Sequence, residues 1–123
     1  MNEENCIFCK IIKDEAPSYK VYEDEKFIAI LSIFPHSPGH TLVIPKEHHR
    51  WVWDVPEFKE YFTLAQKIAF SQRKAYGTES VWGHVQGDEV PHAHIWIYPN
   101  PNTTEGDKKD FEGNAKKIRE ALN

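Results

Sequence analysis

The chain has 123 residues, of which 40% are hydrophobic and 28% charged, and its formal net charge is -4. That length suits a single domain spanning 1–123, with the ordinary composition of a globular protein able to bury its own core. The negative balance, with no basic tract to offset it, argues against a nucleic-acid binder, whose affinity comes from neutralising phosphates. No apolar run is long enough to cross a bilayer. The opening Met1-Asn2-Glu3-Glu4-Asn5 is acidic and polar, without the basic and apolar stretches of a signal peptide, so a cytoplasmic location is expected.

Cys6 and Cys9, the only cysteines, follow in C-x-x-C spacing. A redox pair of that spacing belongs between a strand and a helix rather than at the start of a chain. Pro17-Ser18 marks a turn, and residues 19–22 and 27–33 then read as two strands joined by the acidic turn Glu23-Asp24-Glu25-Lys26. The two prolines and glycine of 35–40 make a shaped loop ending at His40, and the β-branched run 41–44 predicts a buried central strand. Asp54 as cap, Pro56 in the first turn and Glu57 three residues after the cap open a helix. Phe58, Phe62, Ala65, Ile68 and Ala69 carry its apolar face, and Gly77 ends it. Ser80-Val81-Trp82 begins a strand, and 83–89 is a polar loop that includes His84 as a solvated residue.

Residues 90–98 alternate strictly, which predicts a half-buried strand. His92, His94, Trp96 and Tyr98 share one face and Ala93, Ile95 and Ile97 the other. The two imidazoles are therefore expected side by side on the face away from the core, open to a substrate or a metal. After the turn-rich stretch 100–107, Phe111, Ala115, Ile118 and Leu122 recur at helical spacing. The expectation is an α+β domain: an antiparallel sheet with one long amphipathic helix and a short C-terminal helix, the helices on one side.

Two chemistries suit these residue types. Zinc takes four ligands from thiolate and imidazole, and a structural site commonly joins a close cysteine pair to two histidines, for which Cys6, Cys9, His48 and His92 are candidates. Reduced thiols and unrelated histidines fit the spacing equally well. A zinc hydrolase with water on an open metal position is a further reading, and the four available ligands argue against it. Separately, a neutral imidazole on a fixed backbone can attack phosphorus and form a phosphoramidate that water then cleaves. His94 is the candidate, flanked by His92 and Trp96, with His40 able to approach from a neighbouring strand.

Four segments together resemble the histidine triad family of nucleotide-binding proteins: CIFCKII at 6–12, PSYKVYED at 17–24, SPGHTLVIPKEH at 37–48 and VPHAH at 90–94. The resemblance implies a two-fold homodimer that binds a purine nucleoside monophosphate moiety. It places His94 on the family's nucleophilic histidine, His92 on the first triad histidine and His40 on the auxiliary one. It assigns a structural zinc to Cys6, Cys9, His48 and His92, as in zinc-containing bacterial relatives, and it puts Phe8, Ile11, Ile30 and Ile33 around base and sugar. The dimer interface would involve the helix over 56–76, with Trp51 and Trp53.

Departures from the family pattern fall at the site itself. Trp96 stands at the third triad position, where its indole donates one hydrogen bond but cannot accept one or shuttle a proton. Ser32 replaces an aspartate that grips the ribose hydroxyls. Asp88 and Glu89 follow Gly87 where many members have glutamine and a small hydroxyl residue, and carboxylates beside a phosphate repel it unless solvated, neutralised or turned away. The resulting expectation is a hydrolase or transferase of nucleoside 5'-phosphoramidates or related nucleotidyl esters, working through a covalent histidine intermediate. The alternative is a catalytically weak nucleotide-binding module with a zinc-stabilised fold.

Overall fold

Alternation along the central strands divides the molecule into two apolar layers. The computed structural model describes residues 5–123, so of the acidic N-terminal segment only Asn5 lies within the described residues. Strands β1 (Lys20–Glu23), β2 (Phe27–Leu31), β3 (Thr41–Pro45), β4 (Val81–His84) and β5 (Ile95–Pro99) form one antiparallel sheet in the order β1-β2-β3-β5-β4. Ala29, Val43 and Ile95 point to one face and pack with α2 (Phe58–Tyr76) and α3 (Phe111–Leu122). Ile28, Ile30, Leu42 and Ile44 point to the other and pack with α1 (Ile7–Ile12). Both β2 and β3 are buried along their whole length because each of their faces is covered.

The expected α+β architecture is present, with corrections. The two expected helices, α2 and α3, do share one side of the sheet, but a third, α1, lies on the opposite face. β2 ends at Leu31 rather than 33, since Ser32 Oγ accepts the Phe34 N–H at 3.2 Å and turns the chain. β4 continues through His84, so that residue is in a strand and not in a loop. β5 begins only at Ile95, because the preceding backbone leaves the ladder: Ala93 N–H donates to His49 O at 2.7 Å and His92 N–H to Val90 O at 2.8 Å.

Asp54 does not cap α2. It lies in a short 3-10 turn, Val52–Asp54, held by burial of Val52 and Val55, and the helix opens three residues later on Glu57 without a side-chain cap. The buried stripe of α2 is Tyr61, Leu64, Ala65, Ile68, Ser71 and Gln72, while Phe58 is 40% exposed. Gly77, at φ 64, closes the helix as expected.

One contact network shapes the loop before β3. Buried Gln72 Nε2 donates to Gly39 O at 3.0 Å and to Ile97 O at 2.8 Å, tying α2 to the loop and to β5. Gly39 has φ +82, and a Cβ there would lie 2.6 Å from the Tyr76 ring, so both backbone and space require glycine. His40 is thereby set at the mouth of the sheet, its side chain buried.

Candidate functional site

The site is organised by α1, whose six residues face two ways. Cys6 caps the helix by accepting the Cys9 N–H on Sγ at 3.3 Å. One turn apart, both sulfurs point at histidines: Cys6 Sγ lies 3.2 Å from His92 Nδ1, and Cys9 Sγ lies 3.3 Å from His48 Nδ1 and 3.5 Å from His92 Nδ1. The ligand atoms of Cys6, Cys9, His48 and His92 all lie within 4.8 Å of one another. Tetrahedral zinc with ordinary Zn–S and Zn–N bonds sets sulfur and nitrogen roughly 3.5 Å apart, so the donor set fits that ion.

The outer contacts fit it too. His92 Nε2 donates to Pro45 O at 2.7 Å, which fixes the proton there and leaves the Nδ1 lone pair toward the sulfurs. Burial holds His92 well below the usual imidazole range, at about 4, against the opposing pull of the Pro45 carbonyl, and the charges of His48, His94 and His49 act in the same direction as burial. A neutral imidazole of this tautomer is what a metal ligand must be.

The other side of α1 forms a wall. Phe8 and Ile11 line a cavity of about 570 Å³ with Ile30, Ser32, Ile33, Glu89, His94 and Trp96. Register explains part of this: Ile30 pairs with Leu42, Leu42 with Trp96 and Trp96 with His84, so one row of side chains crosses four strands on the α1 face. Phe8 meets the edges of both imidazoles, with ring centroids 5.1 Å from His94 and 5.8 Å from His92. Apart from a few polar groups the lining is apolar, as suits a flat base.

His94 stands at the end of this cavity, and it is 1% exposed. Its Nδ1 donates to His92 O at 2.8 Å, which orients the ring and leaves Nε2 for chemistry. Nε2 meets Glu89 Oε1 at 2.5 Å, and the same oxygen accepts the Trp96 indole N–H at 3.0 Å. Burial, the largest single influence on Glu89, raises its carboxyl, but a backbone hydrogen bond together with the hydrogen bonds of His94 and Trp96 and the His94 charge outweighs it and holds the group below the usual carboxylate range.

Neither histidine lies on an open polar face, as the alternation suggested. His92 and His94 are buried because α1 covers them. Asp88 does not line the cavity; it is exposed and accepts from Gln86 Nε2 at 2.9 Å. His40 does not line it either. Its Nδ1 accepts the His36 N–H at 3.0 Å, its Nε2 has no hydrogen-bond partner among the described residues, and its ring packs on Tyr98 and Trp96 at 4.7 and 5.1 Å. Burial lowers His40 to about 3, helped by the charges of His36 and His84. Ser32 lines the cavity with its hydroxyl engaged in the turn to Phe34. His84 stacks on Trp96 and meets Tyr98 Oη through Nε2 at 3.0 Å.

Sequence reasoning missed several lining residues, notably Phe34 and His36. Phe34 is 81% exposed at the cavity rim, and such an aromatic beside a shaped loop was the available signal.

The HIT domain pattern matches residues 13–103. The chain belongs to the histidine triad family. This histidine triad protein is 42% identical over 110 residues to Protein hit of Bacillus subtilis, an alignment covering 84% of this chain and 76% of that one. It is 39% identical over 106 residues to the adenosine 5'-monophosphoramidase HNT1 of Saccharomyces cerevisiae, covering 82% of this chain and 66% of that one. Its fold is similar to that of a zinc-bound histidine triad family protein from Mycobacterium smegmatis, with a TM-score of 0.82 and 31% identity over 98% of this chain and 95% of the other. No helix among the described residues is long and apolar enough to cross a membrane.

Proposed function

We propose that this protein binds a purine nucleoside 5'-monophosphate moiety in the cavity walled by Phe8, Ile11, Ile30 and Ile33, and that His94 takes up the nucleotidyl group from a phosphoramidate or a related nucleotidyl ester. The observation that carries this reading is the His94 ring, fixed by the His92 carbonyl on Nδ1, with Nε2 meeting Glu89 at the edge of the cavity that both residues line. A nucleophile so oriented forms the P–N bond to Nε2 while the leaving group departs, and water then returns the nucleotide. The phosphoramidase activity of the yeast relative supports this substrate class.

Zinc held by Cys6, Cys9, His48 and His92 belongs to the same reading, as a structural ion with all four positions taken. The zinc-bound mycobacterial relative supports that assignment. The protein is read as a cytoplasmic homodimer joined through α2 and the exposed Trp51 and Trp53, the latter stacked on the exposed Phe58 at the start of that helix. A sedimentation run showing monomer at micromolar concentration would remove the dimer.

The test is an intact-mass measurement after brief mixing with adenosine 5'-phosphoramidate. An AMP-sized adduct on the wild type and none on His94→Ala is the expected result. A second reading, a nucleotide-binding module with little turnover, is favoured by one contact: Glu89 occupies Nε2, the atom that would attack. Nucleotide binding with no adduct and no substrate loss on long incubation would select it.

A further inference from the structure

We propose that Glu89 is the proton-transfer residue of this site, giving a proton to the leaving group as His94 attacks and taking one from water when the adduct is cleaved. This rests on the nucleotidyl-transfer reading above. Its basis is the hydrogen-bond geometry around one imidazole. Nδ1 of His94 faces a carbonyl oxygen, which only accepts, so Nδ1 carries a proton. Nε2 and Glu89 Oε1 sit 2.5 Å apart, a hydrogen-bond contact in which imidazole and carboxyl share one proton between them. Nε2 has a lone pair to offer phosphorus only once that proton rests on Glu89. Freeing the nucleophile therefore loads the carboxyl with the proton that the leaving group needs.

Among the described residues that line the cavity, Glu89 is the one that hydrogen-bonds to His94 Nε2. Trp96 donates to the same Oε1 and cannot accept, so it positions Glu89 without replacing it. His40 does not line the cavity. His36 does, but its ring faces Trp96 and Tyr98 rather than Nε2. Glu89 is 45% exposed and follows Gly87, at φ +74, by two residues, so it can swing aside for an entering phosphoryl group while staying next to it.

The steps balance. In the first, the Nε2 lone pair forms a bond to phosphorus, the P–N or P–O bond to the leaving group breaks with its electron pair, and the Glu89 carboxyl protonates the departing nitrogen or oxygen. In the second, the Glu89 carboxylate takes a proton from water, the water oxygen bonds to phosphorus, and the P–Nε2 bond breaks and returns its pair to the ring. The sum is hydrolysis, with Glu89 and His94 restored.

The experiment compares first-turnover leaving-group release from two substrates, adenosine 5'-phosphoramidate bearing an alkylamine and adenosine 5'-(4-nitrophenyl phosphate), whose leaving group departs without a proton. Glu89→Gln is expected to slow amine release on the order of 10²–10⁴-fold and to slow nitrophenolate release far less, the usual range for a lost general acid. Added formate is expected to restore part of the amine release in Glu89→Ala. Equal losses on both substrates would overturn the proposal, since a merely structural role predicts them. Unchanged or faster release of both would also overturn it, showing that Glu89 only obstructs Nε2. If the wild type releases neither leaving group in a His94-dependent way, the nucleotidyl-transfer reading itself fails.

Discussion

Chelation of zinc is expected to lower the thermal midpoint by an amount set by mass action. The sulfur–nitrogen separations of 3.2, 3.3 and 3.5 Å show that the four donor side chains are already gathered in the folded chain, so zinc bound there would favour the folded state over the unfolded one. Free zinc at about 100 times its dissociation constant adds about 2.7 kcal/mol of stability. An unfolding entropy of about 2.1 cal/mol/K per residue, taken over 123 residues, is about 0.26 kcal/mol/K. The midpoint should therefore fall by about 10 °C when the ion is removed. Scanning calorimetry before and after dialysis against EDTA, with metal content by mass spectrometry, measures it, and zinc added back should restore the loss. His48→Ala is the matched control, because His48 is the one ligand only half buried and its truncation disturbs the core least. That variant should bind zinc more weakly by more than the roughly 10–100-fold expected for losing an outer contact, and its midpoint should no longer respond to chelator. A wild type that takes up no zinc, or a His48→Ala protein whose midpoint shifts as the wild type's does, would refute the reasoning.

Two further outcomes follow from groups around the site. His40 is held neutral by burial, at about 3 against an ordinary value of 6.5. Its contribution is intact above the unfolded value and is lost as pH falls from 6.5 toward 3, because only the unfolded chain binds the proton there; the slope approaches about 1.4 kcal/mol per pH unit. Denaturant titrations at neutral and mildly acid pH should show a shallower slope in His40→Gln, and identical profiles would count against this account. Gly39→Ala combines a left-handed backbone, costing roughly 1–2 kcal/mol, with a Cβ 2.6 Å from the Tyr76 ring. Overpacking adds roughly 1–3 kcal/mol, and urea unfolding that shows no loss would mean that Tyr76 moves freely.

Much of this was legible in the residues because the deciding patterns are local. The β-branched run of β3, the glycine that ends α2 and the helical spacing of α3 depend on near neighbours alone. Alternation around Ala93, Ile95 and Ile97 correctly placed them in the main core. The same alternation misjudged the opposite face, since whether a face is wet depends on what covers it, and α1 is too short to announce itself by periodicity. Asp54 looked like a cap because the buried anchors Val52 and Val55 that draw it into a 3-10 turn are defined only by tertiary packing. Glu89 and Asp88 are adjacent and chemically alike in sequence. Only the turn of the loop after Gly87 decides that Glu89 meets His94 while Asp88 meets Gln86.

The cysteine–histidine cluster proposed to hold zinc and the cavity share α1, and that links them energetically. A helix of six residues is far too short to hold itself in water, so something outside must keep it formed. Cys6 and Cys9 meet His48 and His92 on one side, and on the other Phe8 and Ile11 line the cavity, with Phe8 also against the two histidine rings. If the ion is what secures the cysteines, its removal loosens Phe8 and Ile11, and the protein must spend part of the nucleotide's binding energy on ordering them again. A coupling free energy of about 1–3 kcal/mol, or roughly 5–150-fold in affinity, is the ordinary range for two sites sharing one element. Calorimetric titration with AMP should therefore give weaker binding to the zinc-free protein than to the zinc-loaded one. Reciprocity requires AMP to tighten zinc binding by the same factor. His48→Ala should resemble the zinc-free wild type, although His48 itself does not line the cavity. Equal AMP affinity with and without zinc, in a protein whose stability does respond to the ion, would show that the sheet alone holds the cavity wall in place.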